Sequence, residues 1–313
     1  MAIPPPLGER PRETRTLRRR AGPGLLAILA TCLALTQAAA AGPAAPYRPF
    51  LWTVTSPTAT VHLLGSIHLA TPDIYPLDPR IETAFLAAGT LVLELPLDPA
   101  TQVQAASRFA KAGIYPPGDT IDLHLDRSLL EALQQRLRRS GVSFSTVRSQ
   151  RPWFVALMLS LGEMQRLGFR TELGVDLHLA ARAQGQKRIL GLETVDEQVA
   201  MFAGMSDTLQ EQMLKDSLER LDGVGELLRR ALALWRAGDA EGMYELLMAP
   251  MRGEFPEIYQ RLVAERNRGM AAGIEGYLRG TGVTFVVVGS GHLGGPDGIL
   301  PLLRARGYQP VQP

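Results

Sequence analysis

Val283-Thr284-Phe285-Val286-Val287-Val288, leading into Gly289-Ser290-Gly291-His292-Leu293-Gly294-Gly295, is the stretch that decides the fold. Its first six residues are apolar or β-branched and do not alternate with polar ones, the pattern of a strand covered on both faces. Such a strand needs helices on either side of its sheet, which implies an α/β protein. Working outward, residues 60–64 form a second run of this kind and enter Gly65-Ser66-Ile67-His68. A strand followed by Gly-x-x-His thus occurs near both ends of the chain. Residues 51–54 read as a strand joined to the second run by a Ser56-Pro57-Thr58 turn. Residues 79–88 have helical character, 90–95 form a short strand ending at Glu94 and Pro96, and 187–192 form another that meets Glu193-Thr194.

Between these strands, apolar residues recur at spacings of three and four. They predict helices over 100–112, 128–139, 147–167 (interrupted or begun by Pro152) and 173–183. Longer patterns cover 208–234, 240–247 and 257–278, with breaks near Gly223, Gly238 and Pro250. Asp196 is a candidate cap for the helix after Glu193. A helix over 298–306 and an edge strand over 308–311 end the chain. The expected architecture is α/β: a central, mostly parallel or mixed sheet with a helix-rich segment over 100–280, an insertion or lid, in one domain spanning 42–313. No tandem repeat at solenoid periods is visible.

The 313 residues are 46% hydrophobic and 20% charged, an ordinary globular balance. The net charge of +2 hides an asymmetry: residues 1–41 hold six arginines and two glutamates, so 42–313 carry a net −2. Slight acidity argues against a nucleic-acid partner. Residues 1–41 read as a secretory signal, with a basic stretch to Arg20, a short apolar run over 25–35 and an A-x-A site at Ala39 and Ala41. The run is too short to span a bilayer, so cleavage near Ala41 is expected rather than an uncleaved anchor. The mature chain is then periplasmic or secreted, with no stable membrane span. The single cysteine, Cys32, follows a threonine that fits a lipoprotein box poorly, and it leaves with the signal. That excludes disulfides, thiol catalysis and thiolate metal sites from the mature protein.

In open α/β sheets, ligands bind beyond the carboxyl ends of the strands. Four strands here finish near a polar group at that end: His68, Glu94, Glu193 and His292. Glycine precedes each histidine by three residues and Glu193 by two, permitting a sharp exit and close approach of a ligand. Two imidazoles with one or two carboxylates suit a divalent metal, or a general acid and base. Each group also has a plainer reading. A loop histidine caps a helix or meets solvent, Glu94 forms a buried ion pair, and Glu193 takes part in capping the next helix. His178 is a candidate to support the centre, two residues after Asp176, whereas His62 and His124 read as structural. Gly289-x-Gly291-x-x-Gly294 matches a dinucleotide fingerprint, but the required acid about 20 residues on has no room before the chain ends. Neither Ser66 nor Ser290 lies in a G-x-S-x-G elbow, and no H-E-x-x-H is present.

The motifs Leu63-Leu64-Gly65-Ser66-Ile67-His68, Leu91-Val92-Leu93-Glu94-Leu95, Gly174-Val175-Asp176, Gly191-Leu192-Glu193-Thr194 with Gln198, Arg266-Asn267 and Val288-Gly289-Ser290-Gly291-His292-Leu293 occur in that order. Together the set resembles the TraB/GumN family, which is related to the Tiki proteins. The resemblance implies a fold similar to erythromycin esterase and the haem-binding ChaN proteins, and a centre built from the paired Gly-x-x-His motifs and the early glutamate. Tiki members look like metal-dependent proteases that use manganese or cobalt. Carried onto this sequence, the resemblance implies His68, Glu94 and His292 as metal ligands for Mn²⁺ or Co²⁺. Arg266 and Asn267 then orient substrate or polarise a carbonyl, and Glu193 orients a neighbour or acts as general base. Arg266 also has a plainer reading as a structural ion pair. The leading expectation is an exported metal-dependent hydrolase acting on a peptide or small molecule. The alternatives are a metal-free esterase-like hydrolase with a histidine base, and a non-enzymatic binder of a peptide, a haem-like ligand or an envelope partner.

Overall fold

The computed structural model describes residues 48–313; the signal sequence expected over 1–41 lies outside the described residues. Five strands form one mixed sheet. β1 (Leu51–Thr55) turns back into β2 (Ala59–Ser66) as an antiparallel hairpin, its turn held by Ser56 Oγ, which accepts the Ala59 N–H at 3.0 Å. α1 (Pro79–Ala87) follows, capped by the Asp78 carboxylate, and leads to β3 (Thr90–Leu93). α2 (Pro99–Ala112), α3 (Arg127–Arg139), α4 (Pro152–Arg166) and α5 (Val175–Ala183) precede β4 (Arg188–Gly191). Then come α6 (Val195–Ala203), α7 (Asp207–Arg220), α8 (Val224–Ala237), α9 (Ala240–Glu254), α10 (Pro256–Tyr259) and α11 (Glu265–Leu278). β5 (Gly282–Gly289) and α12 (Ile299–Ala305) close the chain.

The strand order is β1-β2-β5-β3-β4, and β2, β5, β3 and β4 are mutually parallel. All four therefore end at one edge of the sheet. β5 comes last in sequence yet inserts between β2 and β3. Its register pairs Gly289 with Ser66 and Val287 with Leu93. The two Gly-x-x-His segments thus leave the sheet side by side, with the end of β3 as the next neighbour. This insertion is what brings the two ends of the chain to one place.

The sheet core is apolar: Val61, Leu63, Leu91, Phe285 and Val286 are fully buried. Phe85 of α1 meets Phe285 edge-on with ring centroids 5.7 Å apart. Burying one such side chain contributes about 1.5–3 kcal/mol. Within the helix-rich segment, Leu133 of α3, Trp153 and Met164 of α4 and Leu214 of α7 extend the same core.

The expected break near Gly223 is present, as a 3₁₀ turn over Leu221–Gly223 that separates α7 from α8. Several other elements depart from the sequence expectation. α9 does not break at Pro250 but continues to Glu254, because Met243, Leu247, Met248 and Met251 are buried on both sides of it and outweigh one lost hydrogen bond. The pattern over 257–278 contains a π-helical turn, Gln260–Ala264, between α10 and α11. Residues 308–311 form no strand; Val311 makes only an isolated bridge to Thr53. The cap of α6 is Thr194 rather than Asp196. Thr194 Oγ1 accepts the Glu197 N–H at 3.2 Å and Glu197 accepts the Thr194 N–H at 2.7 Å, a reciprocal capping box. Among the described residues no helix is long and apolar enough to cross a membrane.

Candidate functional site

His68 follows β2, Glu94 follows β3, Glu193 follows β4 and His292 follows β5, all at the carboxyl edge of the parallel strands. His68 Nδ1 lies 3.0 Å from Asp176 Oδ2, and its Nε2 faces Glu94 Oε1 at 4.0 Å. Asp176 is itself fixed, because Ser66 Oγ donates to its Oδ1 at 3.1 Å and accepts its backbone N–H at 3.1 Å. Burial opposes a charge on the His68 ring. The Asp176 charge and hydrogen bond, with the Glu94 charge, outweigh it and raise the pKa to about 9. The His68 side chain is still 43% open, so the centre is reachable from solvent.

His292 has the opposite character. Its Nδ1 lies 2.6 Å from Asn267 Oδ1, and Asn267 Nδ2 donates to the Asp297 carbonyl at 2.8 Å. That second bond turns the amide oxygen toward the ring, so the network assigns the His292 proton to Nδ1 and leaves a lone pair on Nε2. Burial, reinforced by the Arg266 charge, lowers its pKa to about 3. The ring is therefore neutral across the physiological range.

Arg266 of α11 sits at the middle of the arrangement. Its Nη2 donates to Glu94 Oε2 at 2.6 Å and to Glu193 Oε2 at 2.7 Å. Nε donates to Glu193 Oε1 at 2.7 Å, and Nη1 lies 3.1 Å from His292 Nε2. Glu94 also accepts the Gly289 N–H at 2.6 Å. Burial works against the Glu94 charge, but Arg266 above all holds its carboxyl well below the usual range. Glu193 Oε2 also accepts from Gln198 Nε2 at 2.9 Å. Both oxygens of Glu193 are thus engaged in holding Arg266 and Gln198, which favours its orienting role over that of a general base.

The glycines of the two Gly-x-x-His motifs do different work. A Cβ on Gly65 would come within 2.3 Å of the Phe50 ring, so that glycine makes room for the core. A Cβ on Gly289 would lie 3.1 Å from His68 Nε2, 3.2 Å from Glu94 Oε1 and 3.4 Å from His292 Cδ2. That point is the shared focus of the three side chains, open because residue 289 has none. Gly291 and Gly294 of the dinucleotide-like pattern instead face Met248 and the Ala240 backbone, so they serve packing against α9.

The donor types suit a divalent ion. Both histidines have Nδ1 tied to a neighbour and Nε2 turned inward, the way supporting bonds orient metal-ligating imidazoles. Glu94, Glu193 and Asp176 outnumber the two cations beside them, Arg266 and the protonated His68, which leaves negative charge for a further cation to neutralise. Among the described residues, however, no three His, Cys, Asp or Glu side chains approach closely enough to hold an ion as they stand. The third donor, His292 Nε2, is covered by Arg266. His68 Nε2 and Glu94 Oε1, 4.0 Å apart, are the two donors open to an ion, and the Arg266 guanidinium stands against His292 Nε2.

Two cavities flank this centre. One, of about 240 Å³, is lined by His68, Glu94, Leu97, Asp176 and Gln198 among others. The other, of about 540 Å³, lies beyond the Glu193–Arg266 pair and is lined by Leu192, Glu197, Met201 and Glu265 as well as that pair.

Of the residues singled out from sequence, His68, Glu94, Glu193, Arg266, Asn267 and His292 form one connected network. His178 is outside it: its ring packs on Tyr75 at 4.6 Å and lies beside Arg182. Asp176, two residues earlier on α5, takes the place considered for His178. His62 bonds Thr53 within the hairpin and His124 bonds Asp119 in a loop. Asp176 and Ser66 were not assigned roles from the residues. The usable signals were the strand register, which sets Ser66 at the site edge, and the start of α5, which points a carboxylate back at the sheet.

A family model described as the TraB/PrgY/gumN family matches residues 50–312. The chain is 26% identical over 256 residues to "Uncharacterized protein YbaP" of Escherichia coli (strain K12), across 78% of this chain and 87% of that one. An "Uncharacterized protein" of Treponema pallidum (strain Nichols) is 23% identical over 297 residues, across 90% of this chain and 88% of its own length. No solved structure matches the chain. The family match covers the sheet, every residue of the network and the helices between them, and the chain belongs to the TraB/PrgY/gumN family.

Proposed function

We propose that the protein is an exported hydrolase that depends on a divalent metal ion, Mn²⁺ or Co²⁺, with peptides as the first substrate class to test. The observation that carries this reading is His68 Nε2 facing Glu94 Oε1 across 4.0 Å, with His68 Nδ1 bound to Asp176 behind it. His68 Nε2 and Glu94 Oε1 would hold the ion, with His292 Nε2 as third ligand. When bound there, an ion supplies Lewis acidity, polarising a carbonyl and acidifying water. The chain's own groups do the positioning. Asp176 fixes the His68 ring, Asn267 fixes the His292 ring, and both exclude the wrong tautomer. An Arg266 N–H beside the centre stabilises the oxygen that gains negative charge as the carbonyl is attacked. Substrate reaches these groups through the cavity onto which His68 opens. Metal content and peptide turnover of the purified mature protein test the reading, with His68→Ala and His292→Ala as controls. Stoichiometric metal lost in both variants is expected; no metal taken up from any common divalent ion sinks it.

The His68–Asp176 pair also suits a metal-free hydrolase with a histidine base. With a pKa of about 9 in the metal-free protein, however, His68 carries at neutral pH a proton that an incoming ion displaces from Nε2 but that leaves a metal-free enzyme without a base. Turnover that survives exhaustive chelation would favour this alternative. Tight retention of a ligand without turnover would favour a binding protein instead. Export rests on the leader over 1–41, and an N-terminus just after Ala41 in the periplasmic fraction is the expected result.

A further inference from the structure

Arg266 occupies the edge of the centre that a third ligand needs. Nη1 is 3.1 Å from His292 Nε2, and Nη2 is 2.6 Å from Glu94 Oε2. A guanidinium keeps its proton in proteins, so it cannot share His292 Nε2 with a cation. We propose that Arg266 is a displaceable internal cation: it fills the Glu94–His292 edge in the metal-free protein, and a divalent ion binding there drives it off about a pivot on Glu193. The inference rests on the metal reading above and deepens it.

Three features of the structure make the movement available. The pivot is independent of His292: Glu193, braced by Gln198, holds Nε at 2.7 Å, so that contact can persist while Nη2, which Glu193 shares with Glu94, lets go. There is room to turn into: the cavity of about 540 Å³ on the Glu193 side, which Arg266 already lines, also has Glu265 among its lining residues. The helix that carries Arg266 starts directly after the π-helical turn Gln260–Ala264, a local irregularity common at functional sites. The Leu262 carbonyl within that turn lies 3.5 Å from Nη1 and offers an alternative acceptor. Once Nη1 leaves His292, its N–H is free to meet a substrate oxygen, so metal entry and readiness of the oxyanion donor are one event. In this account Arg266 is a positioning residue until substrate arrives.

The test is Co²⁺ titration of the wild-type protein, Arg266→Gln and Arg266→Lys, read by calorimetry and by the visible absorption of bound cobalt. Arg266→Gln should bind Co²⁺ at least tenfold more tightly than wild type, with the same visible absorption at saturation, because His292 is a ligand in both once Arg266 is displaced. Arg266→Lys is the second variant should loss of the buried charge prevent folding. A single ammonium cannot span Glu94, Glu193 and His292 together, so this variant should also bind more tightly. Equal or weaker binding in a folded variant, against measurable binding in wild type, overturns the displacement while leaving the metal reading intact. No Co²⁺ binding by any of the three overturns both.

Discussion

Arg266 Nη1 stands 3.1 Å from His292 Nε2, the one nitrogen of that ring turned toward the centre. The side chains of Glu94, Glu193 and His292 and the Leu262 carbonyl all meet the same guanidinium, so its loss has a stability cost separate from any catalytic one. Glu94 and Glu193 are each about nine-tenths buried, with side chains 12% and 11% exposed. Arg266→Ala would leave Glu193 without its cation and Glu94 with only His68, 4.0 Å away. Breaking a buried pair in this way costs about 3–5 kcal/mol. Urea unfolding of the metal-free variant should show a loss of that order, partly restored by Mn²⁺. Unchanged stability would mean that the two carboxylates are not charged as the geometry requires.

The two histidines should titrate in opposite directions. His68 is raised from its ordinary 6.5 to about 9, so the folded state holds its proton more tightly. That contribution to stability is complete below pH 6.5 and is lost as pH rises through about 9. His292 is lowered to about 3, so its contribution is present above 6.5 and is lost as pH falls toward about 3. Imidazole ¹⁵N resonances of the metal-free protein report both. A His68 midpoint below that of His292 would contradict the network drawn here.

Gly65→Ala and Gly289→Ala separate packing from function. The first drives a methyl to 2.3 Å from the buried Phe50 ring and should cost about 1–3 kcal/mol as overpacking, seen as a lower unfolding midpoint. The second meets only side-chain groups at 3.1 Å or more, at the focus of the site. It should fold normally by circular dichroism and lose metal affinity. A pair of variants with matching stability and matching affinity would remove the distinction.

Asp176→Asn tests the support of His68. Asparagine keeps an acceptor for Ser66 but gives up the charge that orients and protonates the ring. Loss of such a supporting group typically lowers metal affinity or activity about 10–100-fold. Affinity and turnover equal to wild type, in a folded variant, would show that Asp176 is incidental.

The central sheet was legible because its signals are local. The β-branched run over 283–288 and the glycines after β2 and β5 mark buried strands and their exits. The network residues at those exits, His68, Glu94, Glu193 and His292, followed from that reading. What joins them did not. Asp176 reaches His68 from 108 positions along the chain, and only the packing of α5 decides that it, rather than His178, faces the sheet. The central place of Arg266 depends on where α11 crosses the strand ends, which no spacing encodes. Thr194 and Glu197 carry a capping box that could be read directly, whereas Asp196 is a cap only by residue type. The continuation of α9 through Pro250 reflects tertiary burial overriding a local preference.

The most direct test of a single centre shared by His68, Glu94 and His292 is the anomalous diffraction of a crystal grown with Mn²⁺. One peak about 2 Å from His68 Nε2 and from a Glu94 oxygen, with Arg266 moved off His292, is the result expected. A crystal with full Mn²⁺ access but no peak between those two side chains, or with manganese bound elsewhere, would contradict it.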